Sequence, residues 1–117
     1  LGIETKFFGD YAEGYAYQGP IELTIRQIPN VDMFICSETL EHLDNPDKVL
    51  AQLRVKAKHL VLSTPIDEAD DNNPEHYWSW GTEDIEEMLE TADWSKRSLS
   101  ELRVTGHHYN YQIWLCS

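Results

Sequence analysis

Two carboxylates and an imidazole close the segment Val31-Asp32-Met33-Phe34-Ile35-Cys36-Ser37-Glu38-Thr39-Leu40-Glu41-His42-Leu43. The spacing Glu38-x-x-Glu41-His42 places all three on one face if the chain turns helically there. Carboxylate and imidazole together suit Mg, Mn, Fe or Zn. The zincin pattern H-x-x-E-H is missed because position 38 is Glu. The plainer alternative is that Glu41 and His42 stay solvated and cap the turn after a strand. Ser37 has no G-x-S-x-G context, which argues against a hydrolase nucleophile. His107 and His108 are adjacent, so a strand would send them to opposite sides. A turn is their expected setting.

The elements around these residues alternate. Met33 to Cys36 is a continuous apolar run, which predicts a strand covered on both faces. The polar residues fall at its carboxyl end, where open α/β sheets bind ligands. Leu1 to Glu4 reads as the tail of a strand ending in a carboxylate, and Tyr15 to Gln18 as a short strand. Ile21 to Ile28 is ambiguous between strand and helical turn. Asn45-Pro46-Asp47 predicts a helix start, with Asn as N-cap, Pro at the first position and an acid in the first turn. Val49, Leu50 and Leu53 form that helix's apolar face. His59 to Pro65 is a second buried strand, ended by Pro. Residues 66–81 read as a loop with five carboxylates. Thr82 is expected to cap a helix that buries Ile85, Met88, Leu89 and Ala92. Two strands close the chain, roughly 96–105 and 109–116. The pattern predicts an α/β domain, a mainly parallel sheet with one antiparallel strand at the end.

Composition narrows the partners. The chain has 117 residues, enough for one domain spanning 1–117 with a modest core. Its 21 acidic and 9 basic residues give a net charge of −12, which argues against nucleic acid and anionic membranes. Solubility is the simplest use of that charge. Apolar runs are too short to span a bilayer, and no signal peptide is visible. Cys36 and Cys116 lie in apolar runs and form no close-spaced pair, so buried thiols and a cytoplasmic setting are expected. The sequence does not open on Met, which suggests residues upstream.

Asp32 to Leu43, Asn45 to Leu53, Leu60 to Pro65 and Thr82 to Trp94 resemble the C-terminal half of the class I S-adenosylmethionine-dependent methyltransferases. The shared pattern is D-x-x-x-x-S-E-x-L-E-H-L, then D-N-P and a helix, a strand ending S-T-P, a helix ending A-x-W, and a terminal hairpin. It covers about residues 31–117, and residues 1–30 match more loosely. The resemblance implies a Rossmann-like sheet and methyl transfer to an oxygen or nitrogen of a small-molecule acceptor. It implies S-adenosylmethionine as cofactor. Glu4 would meet the ribose, Gly19 and Ile21 would flank the adenine, and Ser37 and Glu38 would complete the cofactor site. Pro20 stands where the family often has Asp. The family's glycine-rich loop is absent, since Gly2, Gly9, Gly14 and Gly19 form no G-x-G. The expected fold therefore lacks the first strand-helix unit and has unpaired strand edges, which a homodimer would cover.

The E-x-x-E-H motif also resembles two methyltransferase groups, those acting on quinone precursors and those acting on the 3′ ends of small RNAs. In the RNA group a further His precedes an aromatic residue and a Trp, the place occupied here by His76-Tyr77-Trp78. The resemblance thus implies Glu38, Glu41, His42 and His76 as ligands of a divalent ion (Mg, Mn or Zn). His42 or His76 would serve as catalytic base if no ion is present. Tyr77 and Trp78 could line an acceptor pocket. Two other readings stay open. One is a catalytically inactive remnant acting as a binding or assembly module, and the other is a metal-dependent hydrolase.

Overall fold

The computed structural model describes residues 2–4, 16–66, 77–103 and 110–117. Their elements are β1 (Gly2–Glu4), β2 (Ala16–Gln18), α1 (Ile21–Thr24), β3 (Val31–Ser37), a 3-10 turn (Leu40–His42), α2 (Pro46–Lys56), β4 (Ala57–Ile66), α3 (Thr82–Thr91), β5 (Lys96–Leu102) and β6 (Asn110–Cys116). The ambiguous stretch after Pro20 is thus a single helical turn.

β1 and β2 pair in parallel, with Glu4 opposite Gln18. The other strands form a separate sheet in the order β3-β4-β6-β5. β3 and β4 are parallel, while β6 runs antiparallel to both of its neighbours. One strand thus opposes three, as the sequence predicts. Among the described residues β3 is an edge of that sheet, and β1 does not pair with it.

Local sequence signals explain the helices. Asn45 Oδ1 accepts the Lys48 N–H at 3.2 Å, and Pro46 sits where a helix needs no donor. Val49, Leu50 and Leu53 are fully buried. α2 ends at Lys56 and β4 begins at Ala57, with no residue between them. At α3 the cap is Gly81 rather than Thr82, and the Asp84 carboxylate accepts the Gly81 N–H at 2.9 Å. An acid at the third helical position can bind back to the cap's own amide, so the side chain of the cap is dispensable. Pro65 does not end β4, which continues to Ile66. β3 pairs only as far as Ser63, so Pro65 lies where the strand has β6 alone as neighbour.

The core lies on one face of the four-stranded sheet. Leu60, Leu62, Trp114 and Cys116 pack there with Leu50, Leu53, Ile85 and Leu89. Trp94 closes its end, and its indole donates to Leu50 O at 3.0 Å. On the opposite face Met33 is 48% exposed and Ile35 67% exposed. This corrects the expectation that β3 is covered on both sides. Among the described residues the helical cover falls on the Cys36 side only, and an apolar run reads the same whether one face or both are covered. No helix among the described residues is long and apolar enough to cross a membrane.

Candidate functional site

The carboxyl ends of β3 and β4 meet at a pair of hydroxyls, Ser37 Oγ and Ser63 Oγ, 3.1 Å apart. The Glu38 N–H then donates to Ser63 O at 3.0 Å, so the sheet ladder continues one residue past the strand. Glu38 has φ +46°, the left-handed region that L side chains rarely adopt. Strain of that kind survives only where neighbours over-determine it. Thr39 supplies one such restraint, donating its Oγ1 to Ser37 O at 2.8 Å.

The reversal at Glu38 changes what the motif does. The helical turn begins only at Leu40, so Glu38, Glu41 and His42 do not share one helical face. Leu40 and Glu41 turn inward, and His42 faces the cleft. Glu41 is 1% exposed, and its Oε2 accepts the Thr64 hydroxyl at 2.7 Å. Its Oε1 has no hydrogen-bond partner among the described residues and lies 3.6 Å from His42 Nε2. Below them the Cys36 thiol is pushed up to about 12, by burial first and then by the Glu41 and Glu38 charges. It is a packing residue, not a nucleophile.

An aromatic strap crosses this turn. The Tyr77 N–H donates to Glu41 O at 2.8 Å, and the Trp78 indole donates to Leu43 O at 2.7 Å. Trp78 stacks on Trp80 with ring centroids 6.0 Å apart and planes within 7°. Trp80 is buried and bridges to Ile66. The outer rings remain available, with Tyr77 60% and Trp78 42% exposed.

The facing wall comes from the turn after β2. Gly19 has φ +141°, and an added Cβ would sit 3.0 Å from the Thr24 methyl, so glycine is required there. Thr24 Oγ1 donates to Pro20 O at 3.0 Å, and Gln52 of α2 holds Glu22 O at 3.1 Å. Between the walls is an open cleft of about 400 Å³. Gly19 to Glu22, Glu38, Thr39, His42, Leu43, Asp44 and Tyr77 line it.

Four of the sequence-predicted site residues, Gly19, Ile21, Glu38 and His42, therefore meet in one cleft. Ser37 precedes the lining residue Glu38, and Glu41 Oε1 lies 3.6 Å from His42 Nε2. Glu4 ends β1, in register with Gln18, just before the Gly19 turn. His76 lies outside the described residues, as do His107 and His108. No group of three or more His, Cys, Asp or Glu among the described residues is placed to hold a metal ion. Sequence reasoning missed Thr64 as the partner of Glu41, and Asp44 as a cleft residue. The S-T-P strand end carried a signal for the first, since a buried hydroxyl there needs an acceptor.

No protein-family profile and no curated protein matches the sequence. Solved structures do match. Methyltransferase CalO6 is 12% identical with a TM-score of 0.65, over 87% of this chain and 40% of that one. The cyclase SpnF is 11% identical with a TM-score of 0.70, over 86% of this chain and 55% of that one. Magnesium protoporphyrin IX methyltransferase (ChlM) from Synechocystis PCC 6803, with bound SAH, is 14% identical with a TM-score of 0.65, over 86% of this chain and 49% of that one. The chain thus spans 40 to 55% of the length of these three proteins. Over that span it has the Rossmann-like fold of the class I S-adenosylmethionine-dependent methyltransferases.

Proposed function

We propose that this chain acts in S-adenosylmethionine-dependent methyl transfer to an oxygen or nitrogen of a small-molecule acceptor. The cleft beyond β3 and β4 carries the reading, because Gly19, Ile21, Glu38 and His42 converge there at the ligand-binding end of a methyltransferase fold. The cofactor, when bound, supplies an electrophilic methyl group on a sulfonium. The chain fits one end of it. Pro20 and Ile21 offer an apolar wall beside the left-handed Gly19, and Glu4, Ser37 and Glu38 are the candidates for its hydroxyl groups. The glycines of the sequence form no G-x-G to meet the methionine end.

What the residues contribute is position and proton removal. His42 faces the cleft and is the favoured base among the described residues. Glu41 beside Nε2 would stabilise the imidazolium formed when the acceptor's proton arrives, and Thr64 fixes Glu41. His76 is the other candidate base.

Nuclear magnetic resonance with S-adenosylhomocysteine tests this. Amide signals of Gly19, Ile21, Ser37 and Glu38 should shift together and saturate only at high ligand concentration. No shift at these positions would leave a binding or assembly module as the reading. The cyclase SpnF shares the fold, so the fold alone does not require methyl transfer.

A divalent ion, Mg, Mn or Zn, held by Glu38, Glu41, His42 and His76 is a finer part of the proposal. Glu41 and His42 suit it, because Oε1 has no hydrogen-bond partner among the described residues and lies 3.6 Å from the imidazole. Glu38 does not join them in the described arrangement, so no catalytic step is derived through a metal. If the site forms, the ion raises the melting temperature, by an amount that grows with its concentration. The gain should fade in acid, because protons compete with the ion for its ligands. His42→Ala and His76→Ala should each abolish it, and His107→Ala should not. A melt indifferent to all three ions removes the metal.

A further inference from the structure

We infer that Gln112 of β6 is a positioning residue for His42 and acts through the aromatic strap. The inference rests on the proposed role of His42 as base, and adds the residue that fixes its place.

Gln112 is the polar exception on the buried side of β6. It shares that side with Trp114 and Cys116 and is fully buried. A buried amide costs stability unless its donors and its acceptor are used. Here both ends are used. Oε1 accepts the Trp114 indole N–H at 2.9 Å. Nε2 donates to Pro65 O at 3.3 Å and to Trp80 O at 3.2 Å. The two carbonyls belong to different segments, so one side chain joins them.

The course of β4 places Gln112 at this junction. β3 accompanies β4 as far as Ser63, and the Glu38 N–H donates to Ser63 O. Further along, Trp80 bridges Ile66 in parallel. Pro65 thus lies between the strand that leaves and the segment that arrives. Gln112 ties the arriving segment to β4 there.

From Trp80 the restraint passes to His42. Trp80 stacks on Trp78, whose indole donates to Leu43 O at 2.7 Å. The Tyr77 N–H donates to Glu41 O at 2.8 Å. The carbonyls immediately before and after His42 are therefore both bonded to the strap, and His42 itself lines the cleft. Without the Gln112 donors the strap keeps the Ile66 bridge and the packing of Trp80. A base must stay within hydrogen-bond reach of the proton it takes, so this looseness would reach the chemistry.

Hydrogen exchange in the 117-residue chain tests this, with two variants that break opposite halves of the amide's bonding. Gln112→Met keeps the length and removes both donors. Trp114→Phe removes the indole N–H and leaves both donors in place. In Gln112→Met the Tyr77 amide and the Trp78 indole should exchange about tenfold faster than in the parent, the equivalent of one lost hydrogen bond. The carbonyl carbon signals of Glu41 and Leu43 should move with them. In Trp114→Phe all four signals should keep their parent behaviour while the melting temperature falls. A Gln112 that merely fills the core would make both variants lose strap protection in proportion to their loss of melting temperature, and that result overturns the inference. So does parent-like exchange of the strap in Gln112→Met. If Gln112→Met does not fold, the parent decides. Its Gln112 side-chain amide protons should exchange as slowly as the Leu62 amide, and exchange at the rate of a free amide overturns the inference. S-adenosylhomocysteine should saturate the Gly19 and Ile21 signals alike in the parent and in Gln112→Met, and weaker saturation in the variant overturns a role confined to His42. A parent that does not bind it fails the methyl-transfer reading instead, while the exchange rates still report on Gln112.

Discussion

Glu41 is a charged-type side chain in the core, and its cost is contained by one hydrogen bond. Thr64→Val removes the donor at 2.7 Å while keeping the shape, and leaves Oε2 buried without a partner. Urea denaturation should register a loss of about 1–3 kcal/mol, whereas Thr64→Ser should lose far less. Cys36 gives a second test through pH. Its folded value is about 12 against an ordinary 9.0, so an unfolded chain loses the thiol proton first as pH rises. The thiol's contribution to stability is therefore complete below about 9 and declines between 9 and about 12. Stability should fall over that window with a slope that is shallower in Cys36→Ala. An equal slope would show that other groups dominate. Cys36 should also resist thiol reagents until denaturant is added.

Helix starts were the most legible elements, because their signals are local. Asn45-Pro46-Asp47 contains the whole reason for the start of α2, and Asn45→Ala should cost about 1 kcal/mol in a thermal melt. The start of α3 was displaced by one residue because a glycine cap leaves no side-chain signature, and Thr82 beside it does. The catalytic-looking turn was legible as residues but not as geometry. Periodicity assumes one continuous helix, and the left-handed Glu38 breaks the phase between itself and Glu41. Burial of Glu41 was invisible for the same reason. Its partner Thr64 is 23 positions away, and only the parallel pairing of β3 with β4 brings them together.

At the scale of the whole molecule the sheet has two sides with different fates. Ile35, Val61 and Leu115 stand side by side across β3, β4 and β6, on the face away from Leu60, Leu62 and Trp114. β3 also has a free edge among the described residues. Apolar surface and open strand edges both favour pairing with a second copy. Light scattering should give twice the 13.6 kDa of one chain, and Ile35→Lys should restore the monomer. A parent chain that stays monomeric over a wide concentration range would count against this.

The junction between α2 and β4 has no slack. Lys56 is helical and Ala57 is already in the sheet, so the rotation of one element is geared to the pleat of the other. One inserted residue would swing the helix face by about 100° or send alternate strand residues to the wrong side. Either way Val49, Leu50 and Leu53 would lose their seat on Leu60 and Leu62. Change in length is easier to absorb upstream, at Asn30, where the chain passes exposed into β3. For anyone grafting or recombining this domain, the stretch from Pro46 to Ile66 is a single indivisible cassette.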